Sequence, residues 1–140
     1  MRIVLDPNVL VSAALSSNGP SAQILAEARE GSFELVACPA LIDELGRVLR
    51  RERFRSYLSI EDSIRYVEAI ARLATSVANP TQVPSATRDR DDDYLVALLG
   101  SSADLLVSGD KDLTDLDDAR IVSPRAAIEI LRAVGESAVN

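Results

Sequence analysis

The chain alternates short apolar segments with longer amphipathic segments, and this alternation limits the folds that it can adopt. The apolar segments are uninterrupted, which is typical of strands that are buried on both faces. We predict strands at 2–6, 33–37, 104–110 and the beginning of 119–134, with a further short strand at 82–84. Since helical segments separate these strands, we expect an α/β fold, a three-layer α/β/α sandwich with a mostly parallel sheet of four or five strands.

Local signals mark where the helices begin and end. Pro39 occupies the first position of the helix PALIDELGRVLRRE, where proline is favoured. The helix that begins at Ser21 has Gly31 beyond its end, and the helix at 59–75 begins with a capping box. We expect residues 1–134 to form one domain and residues 135–140 to form a flexible tail.

The residue types that are absent exclude several kinds of active site. The 140 residues include no histidine and one cysteine, Cys38. A Ser–His–Asp triad, histidine metal ligands, a cysteine-rich zinc site and an internal disulfide are therefore excluded. A site must use carboxylates, hydroxyls, amides and arginines, and carboxylates favour hard cations such as Mg²⁺ or Mn²⁺.

The charge of the chain restricts how it could bind nucleic acid. The formal net charge is −7, so bulk electrostatics would repel a polyanion. A nucleic-acid partner would need local arginines or a bridging metal ion. No apolar run approaches the length of a membrane span, so we expect a cytoplasmic protein with no membrane partner.

Two aspartates lie at the carboxyl ends of predicted strands. Asp6 ends RIVLD and Asp110 ends DLLVSGD. Ligands in parallel α/β folds bind beyond the carboxyl ends of the strands, so these carboxylates could share a site. Each aspartate could equally cap the helix that follows it. Four further polar side chains lie close to them in sequence: Asn8, Ser12, Ser108 and Asp112.

A third carboxylate lies at the edge of a buried helix face. On a helical wheel, Glu44 borders the apolar arc that contains Leu45 and Val48. A carboxylate in that position is costly unless it is paired or bound. The alternative is an exposed glutamate that pairs with Arg47 or Arg51.

The segment RDRDDDYLVALL (88–99) places consecutive aspartates at the start of a predicted helix. On the wheel Asp92 shares the face of the apolar residues, Asp91 and Asp93 flank it, and Asp93 is the more peripheral. All three would also favour a helix N-terminus through the helix dipole. Carboxylates from Asp6, Glu44, Asp92 and Asp110 would repel one another unless a cation lies between them.

Four segments in this order resemble the PIN-domain family and, more closely, its VapC-like branch of toxins from toxin–antitoxin systems. They are IVLDPNVLVSAAL, CPALIDELGRVL, RDRDDDYLVALL and ADLLVSGDKDL. The resemblance implies a Mg²⁺- or Mn²⁺-dependent endoribonuclease. It implies catalytic residues at Asp6, Glu44, Asp92 and Asp110, with the first, third and fourth as metal ligands and with Asp91 or Asp93 as alternatives to Asp92. Ser108 stands where the family more often has threonine, and Pro7 where it has threonine or serine.

The same resemblance implies partners. They are an RNA substrate, a cognate antitoxin protein and often a second copy of the chain, for which the apolar helix at 59–75 would be suited. RVLRRERFR (47–55) is rich in arginine, so Arg47, Arg50 and Arg51 could bind substrate phosphates or an acidic antitoxin segment. The alternative is a solvated helix end in which Glu52 pairs locally.

Two other classes of function remain open. Clustered acids on such a fold could belong to a Mg²⁺-dependent phosphohydrolase with an aspartyl nucleophile. That chemistry usually uses a second acid two residues after the first, where this chain has Asn8. The chain could also be a catalytically inert interaction module.

Overall fold

A computed structural model describes residues 1–81 and 93–139 of the chain. Its centre is a sheet of five parallel strands in the order β3-β2-β1-β4-β5. The strands are β1 (Arg2–Leu5), β2 (Glu34–Ala37), β3 (Thr75–Ser76), β4 (Leu105–Val107) and β5 (Ile121–Val122). The predicted α/β/α sandwich with a parallel sheet is confirmed.

Helices cover both faces of this sheet. They are α1 (Pro7–Leu15), α2 (Pro20–Arg29), α3 (Pro39–Leu49), α4 (Ile60–Leu73), α5 (Asp93–Ser101), α6 (Lys111–Thr114) and α7 (Pro124–Val139), with a 3₁₀ turn at Glu52–Phe54. Right-handed crossovers place α1 to α4 on one face, where α7 packs against α2. The return from β3 to β4 places α5 on the other face, against β1 and β4.

Most helix boundaries follow the local signals in the sequence. Pro39 is the first residue of α3, and the Ser59 hydroxyl accepts the backbone N–H of Asp62 at the start of α4. Gly31 has a φ of 82°, a conformation that favours glycine, just beyond α2. Helix α7 continues to Val139, so helical conformation extends into the segment that we expected to form a tail.

The short edge strand β3 was not predicted. We predicted that the helix at 59–75 includes Thr75, and this was wrong, because Thr75 is the first residue of β3. The two residues of β3 pair with Val36 and Ala37 of β2, and the Thr75 hydroxyl donates to Glu34 at 2.7 Å. A two-residue edge strand has no apolar periodicity of its own, so its conformation comes from the neighbouring strand. The strand predicted at 82–84 lies outside the described residues.

Strand β1 lies in the middle of the sheet and forms the centre of the core. Ile3, Val4 and Leu5 are fully buried. The chain moves outward from β1 through β2 to β3 and then returns to add β4 on the other side of β1. The carboxyl ends of β1 and β4 therefore form a topological switch point, where ligands bind in such sheets. No helix within the described residues is long and apolar enough to cross a membrane.

Candidate functional site

Asp6 and Asp110 lie together at the switch point and are joined through Ser108. The backbone N–H of Asp6 donates to the carbonyl of Val107 at 2.9 Å, which fixes Asp6 beside the end of β4. The Ser108 hydroxyl donates to Oδ2 of Asp6 at 2.7 Å and accepts the backbone N–H of Asp110 at 3.0 Å. The predicted convergence of these two strand-end aspartates is therefore observed.

Both aspartates also cap helices, as the alternative interpretation required. Oδ1 of Asp6 accepts the N–H of Asn8 at 2.9 Å, and Oδ1 of Asp110 accepts the N–H of Asp112 at 2.9 Å. Capping uses one oxygen of each carboxylate and leaves lone pairs on both. Capping and cation binding are therefore compatible at these positions.

Asp6 is held in an environment that opposes its negative charge. Its side chain is 2 % exposed. Burial raises the pKa of the Asp6 carboxyl above its ordinary value, hydrogen bonds from Asn8 and Ser108 lower the pKa, and the nearby charge of Asp110 raises it further. The net effect is a raised pKa. A cation near both carboxylates would relieve this penalty.

Glu44 reaches the same end of the sheet and is contacted by Tyr94, a residue that the sequence reasoning missed. Glu44 is partly buried, and the Tyr94 hydroxyl donates to its Oε2 at 2.5 Å. Burial, then the hydrogen bond to Glu44, and then the charges of Glu44, Cys38 and Asp6 raise the pKa of the Tyr94 phenol. The Tyr94 hydroxyl therefore contacts Glu44 directly, whereas Asp6 acts on it through its charge. The sequence feature that could have identified Tyr94 is its position, as an aromatic residue, directly after the acidic run.

The structure corrects our prediction about which aspartate of the acidic run is peripheral. Asp93, which we expected at the periphery, is the first residue of α5 and is 3 % exposed. The wheel failed because it compares directions around the helix axis, whereas burial in a first turn depends on what lies beyond the helix end. Asp91 and Asp92 lie outside the described residues.

A cleft of about 390 Å³ opens beside the acid pair. It is lined by the predicted residues Asn8, Ser12 and Asp110, and by Ser21 at the start of α2 and Pro124 at the start of α7. Asn8 and Ser12 are exposed on the wall that α1 provides, as the helical spacing predicted. The cleft therefore gives solvent access to Asp110 next to the buried Asp6.

The carboxylates are the correct type of ligand for a hard divalent ion. Among residues 1–81 and 93–139, no group of three or more acidic, cysteine or histidine side chains is gathered closely enough to hold a metal ion. The described part of the site is the pair Asp6 and Asp110, with Glu44 and Asp93 at the same end of the fold. The burial of the Asp6 carboxylate next to Asp110, which raises the pKa of Asp6, is an environment that a divalent cation would fit.

The arginine-rich segment is not a uniformly solvated helix end. Arg47, Arg50 and Arg51 are exposed on and just after α3, whereas Arg55 folds back and donates to the Leu49 carbonyl at the end of that helix. Arg53 stacks over the ring of Phe54 with its guanidinium 4.7 Å from the ring centroid. Phosphate binding by the three exposed arginines stays a prediction.

Comparison with known proteins agrees with this architecture. The chain is 28% identical over 118 residues to the uncharacterized protein MJ1680 of Methanocaldococcus jannaschii, covering 84% of this chain and 76% of that protein. The fold of the present chain is similar to that of PAE2754 from Pyrobaculum aerophilum, with a TM-score of 0.68 and 16% sequence identity. The similarity covers 95% of this chain and 90% of PAE2754. A sequence profile described as PIN domain matches residues 2–112, which include Asp6, Ser108 and Asp110. The chain therefore belongs to the PIN domain family, whose members are generally nucleases that bind divalent metal ions.

Proposed function

We propose that this chain is a Mg²⁺- or Mn²⁺-dependent endoribonuclease whose site lies between the carboxyl ends of β1 and β4. The single observation that carries the proposal is the pair of aspartates joined through Ser108 at the switch point. A buried carboxylate and a solvent-accessible one, side by side, suit a site that holds a divalent ion at the end of an open cleft.

In this proposal Asp6 and Asp110 hold the ion, with Glu44 and one acid of the run at 91–93. We favour Asp93 over Asp92 for that role, because Asp93 is buried at the first position of α5 and next to Tyr94, which contacts Glu44. A divalent ion bound there supplies an activated water and positive charge for the phosphoryl oxygens.

The other residues of the site orient these carboxylates. The Ser108 hydroxyl directs its proton onto Asp6, because one of its lone pairs already accepts the N–H of Asp110. Tyr94 holds Glu44 in the same way from α5. This fixed arrangement favours one geometry of the carboxylates before any ion or substrate arrives.

An RNA cleavage assay tests the proposal. Wild-type protein should cut a single-stranded RNA in the presence of Mn²⁺ or Mg²⁺ and should be inactive with EDTA. Asp6→Asn and Asp110→Asn should both lose metal-stimulated cleavage while keeping the wild-type circular dichroism spectrum. Cleavage of a phosphate monoester but not of RNA would instead indicate the phosphohydrolase, and no thermal shift with Mn²⁺ would indicate an inert module.

A toxin role in the cytoplasm is the narrower form of the proposal and adds protein partners. Tyr57, Ile60 and Ile64 expose large apolar side chains near the start of α4, with exposed fractions of 70%, 42% and 52%. A groove of about 180 Å³ between α3 and α4, lined by Ile64, Val67 and Arg50, adjoins this surface. Apolar surface of this kind suits an antitoxin or a second copy of the chain.

Copurification tests this narrower proposal. Coexpression with the product of a neighbouring small gene should yield a complex whose RNA cleavage is suppressed. Ile60→Asp combined with Ile64→Asp should weaken that complex without changing the cleavage by the free chain. An unchanged complex in this variant would place the partner elsewhere.

A further inference from the structure

A second cleft lies next to the cleft beside the acid pair. This α2–α7 groove has a volume of about 350 Å³, and its walls include Asn18, Gln23, Arg125 and Arg132. Ser21 and Pro124 line the cleft beside Asp110, and the residues adjacent to them in sequence, Pro20 and Arg125, line the α2–α7 groove. The two clefts are therefore neighbours at the starts of α2 and α7.

The two neighbouring clefts differ in the charge of their linings, because Asp110 lines the first and two arginines line the second. Arg125 and Arg132 are exposed, and neither guanidinium forms an ion pair or hydrogen bond with any residue that the structure describes. Asn18 and Gln23 add amide donors on the opposite wall, while Glu129 is the one carboxylate among the described lining residues. The groove thus offers exposed cationic donors in the cleft next to a site that itself repels phosphate.

We propose that the α2–α7 groove binds the single-stranded RNA that flanks the scissile phosphate, with Arg125 and Arg132 contacting its phosphates. This inference rests on the proposed ribonuclease function. The two arginines are seven residues apart, so they lie on nearly the same face of α7 and are separated by roughly 10 Å along its axis. A stacked strand covers that distance in about three nucleotides.

The groove explains how a chain of net charge −7 could hold RNA in register. The positive charge of an ion at Asp6 and Asp110 would act on one phosphate, whereas the arginines act on its neighbours. Arginine suits this task because its planar guanidinium forms paired hydrogen bonds with phosphate oxygens. Phosphate contacts of this type position a substrate without reading its sequence.

Fluorescence anisotropy with a short labelled single-stranded RNA in EDTA tests the groove without cleavage. The variant Arg125→Gln/Arg132→Gln should bind roughly tenfold more weakly than wild type, and the slope of log K against log salt should fall by about 1.4, which is two lost contacts of about 0.7 each. Glu129→Gln should bind more tightly, because it removes a negative charge from the groove. Arg65→Gln/Arg72→Gln, with the same charge change on α4, should bind like wild type.

Two further measurements separate this inference from the proposed function. Arg47→Gln/Arg51→Gln removes two of the exposed arginines on and just after α3, and a loss of affinity there with unchanged binding by the α7 variant would overturn the groove. Wild-type cleavage with Mn²⁺ is measured in parallel. Cleavage together with unaltered RNA binding by the α7 variant rejects the groove alone, whereas wild-type protein that neither binds nor cuts RNA rejects both.

Discussion

Ser108 donates its hydroxyl proton to the buried carboxylate of Asp6 at 2.7 Å, across 102 positions in sequence. The same oxygen accepts the N–H of Asp110 at 3.0 Å, so one fully buried hydroxyl connects the ends of β1 and β4. This bridge sets the position of both aspartates relative to the sheet, and several testable consequences depend on it.

Replacing Ser108 by alanine should destabilise the chain and weaken metal binding together. The substitution leaves the Asp6 oxygen and the Asp110 N–H without the bridge, and such a loss costs about 1–3 kcal/mol. Chemical denaturation measures this free energy of unfolding. Ser101→Ala is the matched control, because the Ser101 hydroxyl is exposed and, within the part of the chain that the structure describes, bonds to Ala97 and Ser102 alone. We expect a change within about 0.5 kcal/mol. Equal effects of the two substitutions would contradict the bridge.

Asp6→Asn should stabilise the metal-free protein at neutral pH. Because the pKa of Asp6 is raised on folding, the folded chain binds more protons than the unfolded chain between the ordinary and the raised pKa. Stability therefore falls as pH rises through that window and stays reduced above it. The asparagine has no charge to bury, so in EDTA above the window its Tm should be roughly 2–4 °C higher, the shift for about 1 kcal/mol.

Adding Mn²⁺ should make the wild type more stable than Asp6→Asn. Wild type should gain about 2.7 kcal/mol when the ion is present at a hundred times its Kd, whereas Asp6→Asn should gain little. Thermal unfolding with and without the ion measures both states. The exposed Asp43→Asn on α3 is the control and should keep the full gain. A Mn²⁺ shift in Asp6→Asn as large as that of wild type would remove Asp6 from the site.

Tyr94→Phe should weaken metal binding, while Tyr66→Phe should not. Each substitution removes one partly buried tyrosine hydroxyl. The Tyr94 hydroxyl donates to Glu44, and the Tyr66 hydroxyl donates to the Leu10 carbonyl. Both should lower stability by about 0.5–3 kcal/mol. Only the first removes a hydrogen bond to a carboxylate of the proposed site, so only the first should change the Mn²⁺ dependence of Tm. Equal Mn²⁺ responses in the two variants would give Tyr94 a purely structural role.

Asparagine substitutions in the acidic run should identify which acid belongs to the site. We expect Asp93→Asn to lose most of the Mn²⁺-induced shift in Tm, because Asp93 is buried at the start of α5. Asp91→Asn is the control of equal charge change and should keep the shift. If Asp92→Asn loses the Mn²⁺-induced shift in Tm and Asp93→Asn keeps it, then Asp92, which the family resemblance favoured, belongs to the site instead of Asp93.

The fold and two of the acids could be predicted because their signals are local. Uninterrupted apolar runs indicate buried parallel strands, and an aspartate at or just beyond the end of such a run lies near the ligand-binding edge. Asp6 and Asp110 were found in this way, and so were Pro39 and Gly31 as helix boundaries. These features depend on strand burial, backbone conformation and chain direction, which a few neighbouring residues determine.

Only the tertiary structure decided which side chains meet at that edge. The burial of Asp93, the contact of Tyr94 with Glu44 and the pairing of Thr75 with Val36 each depend on an element that is distant in sequence. A helical wheel contains no information about what lies beyond a helix end. Sequence therefore determined the strand ends and the chemistry available there, whereas packing between elements determined which carboxylates are buried beside one another.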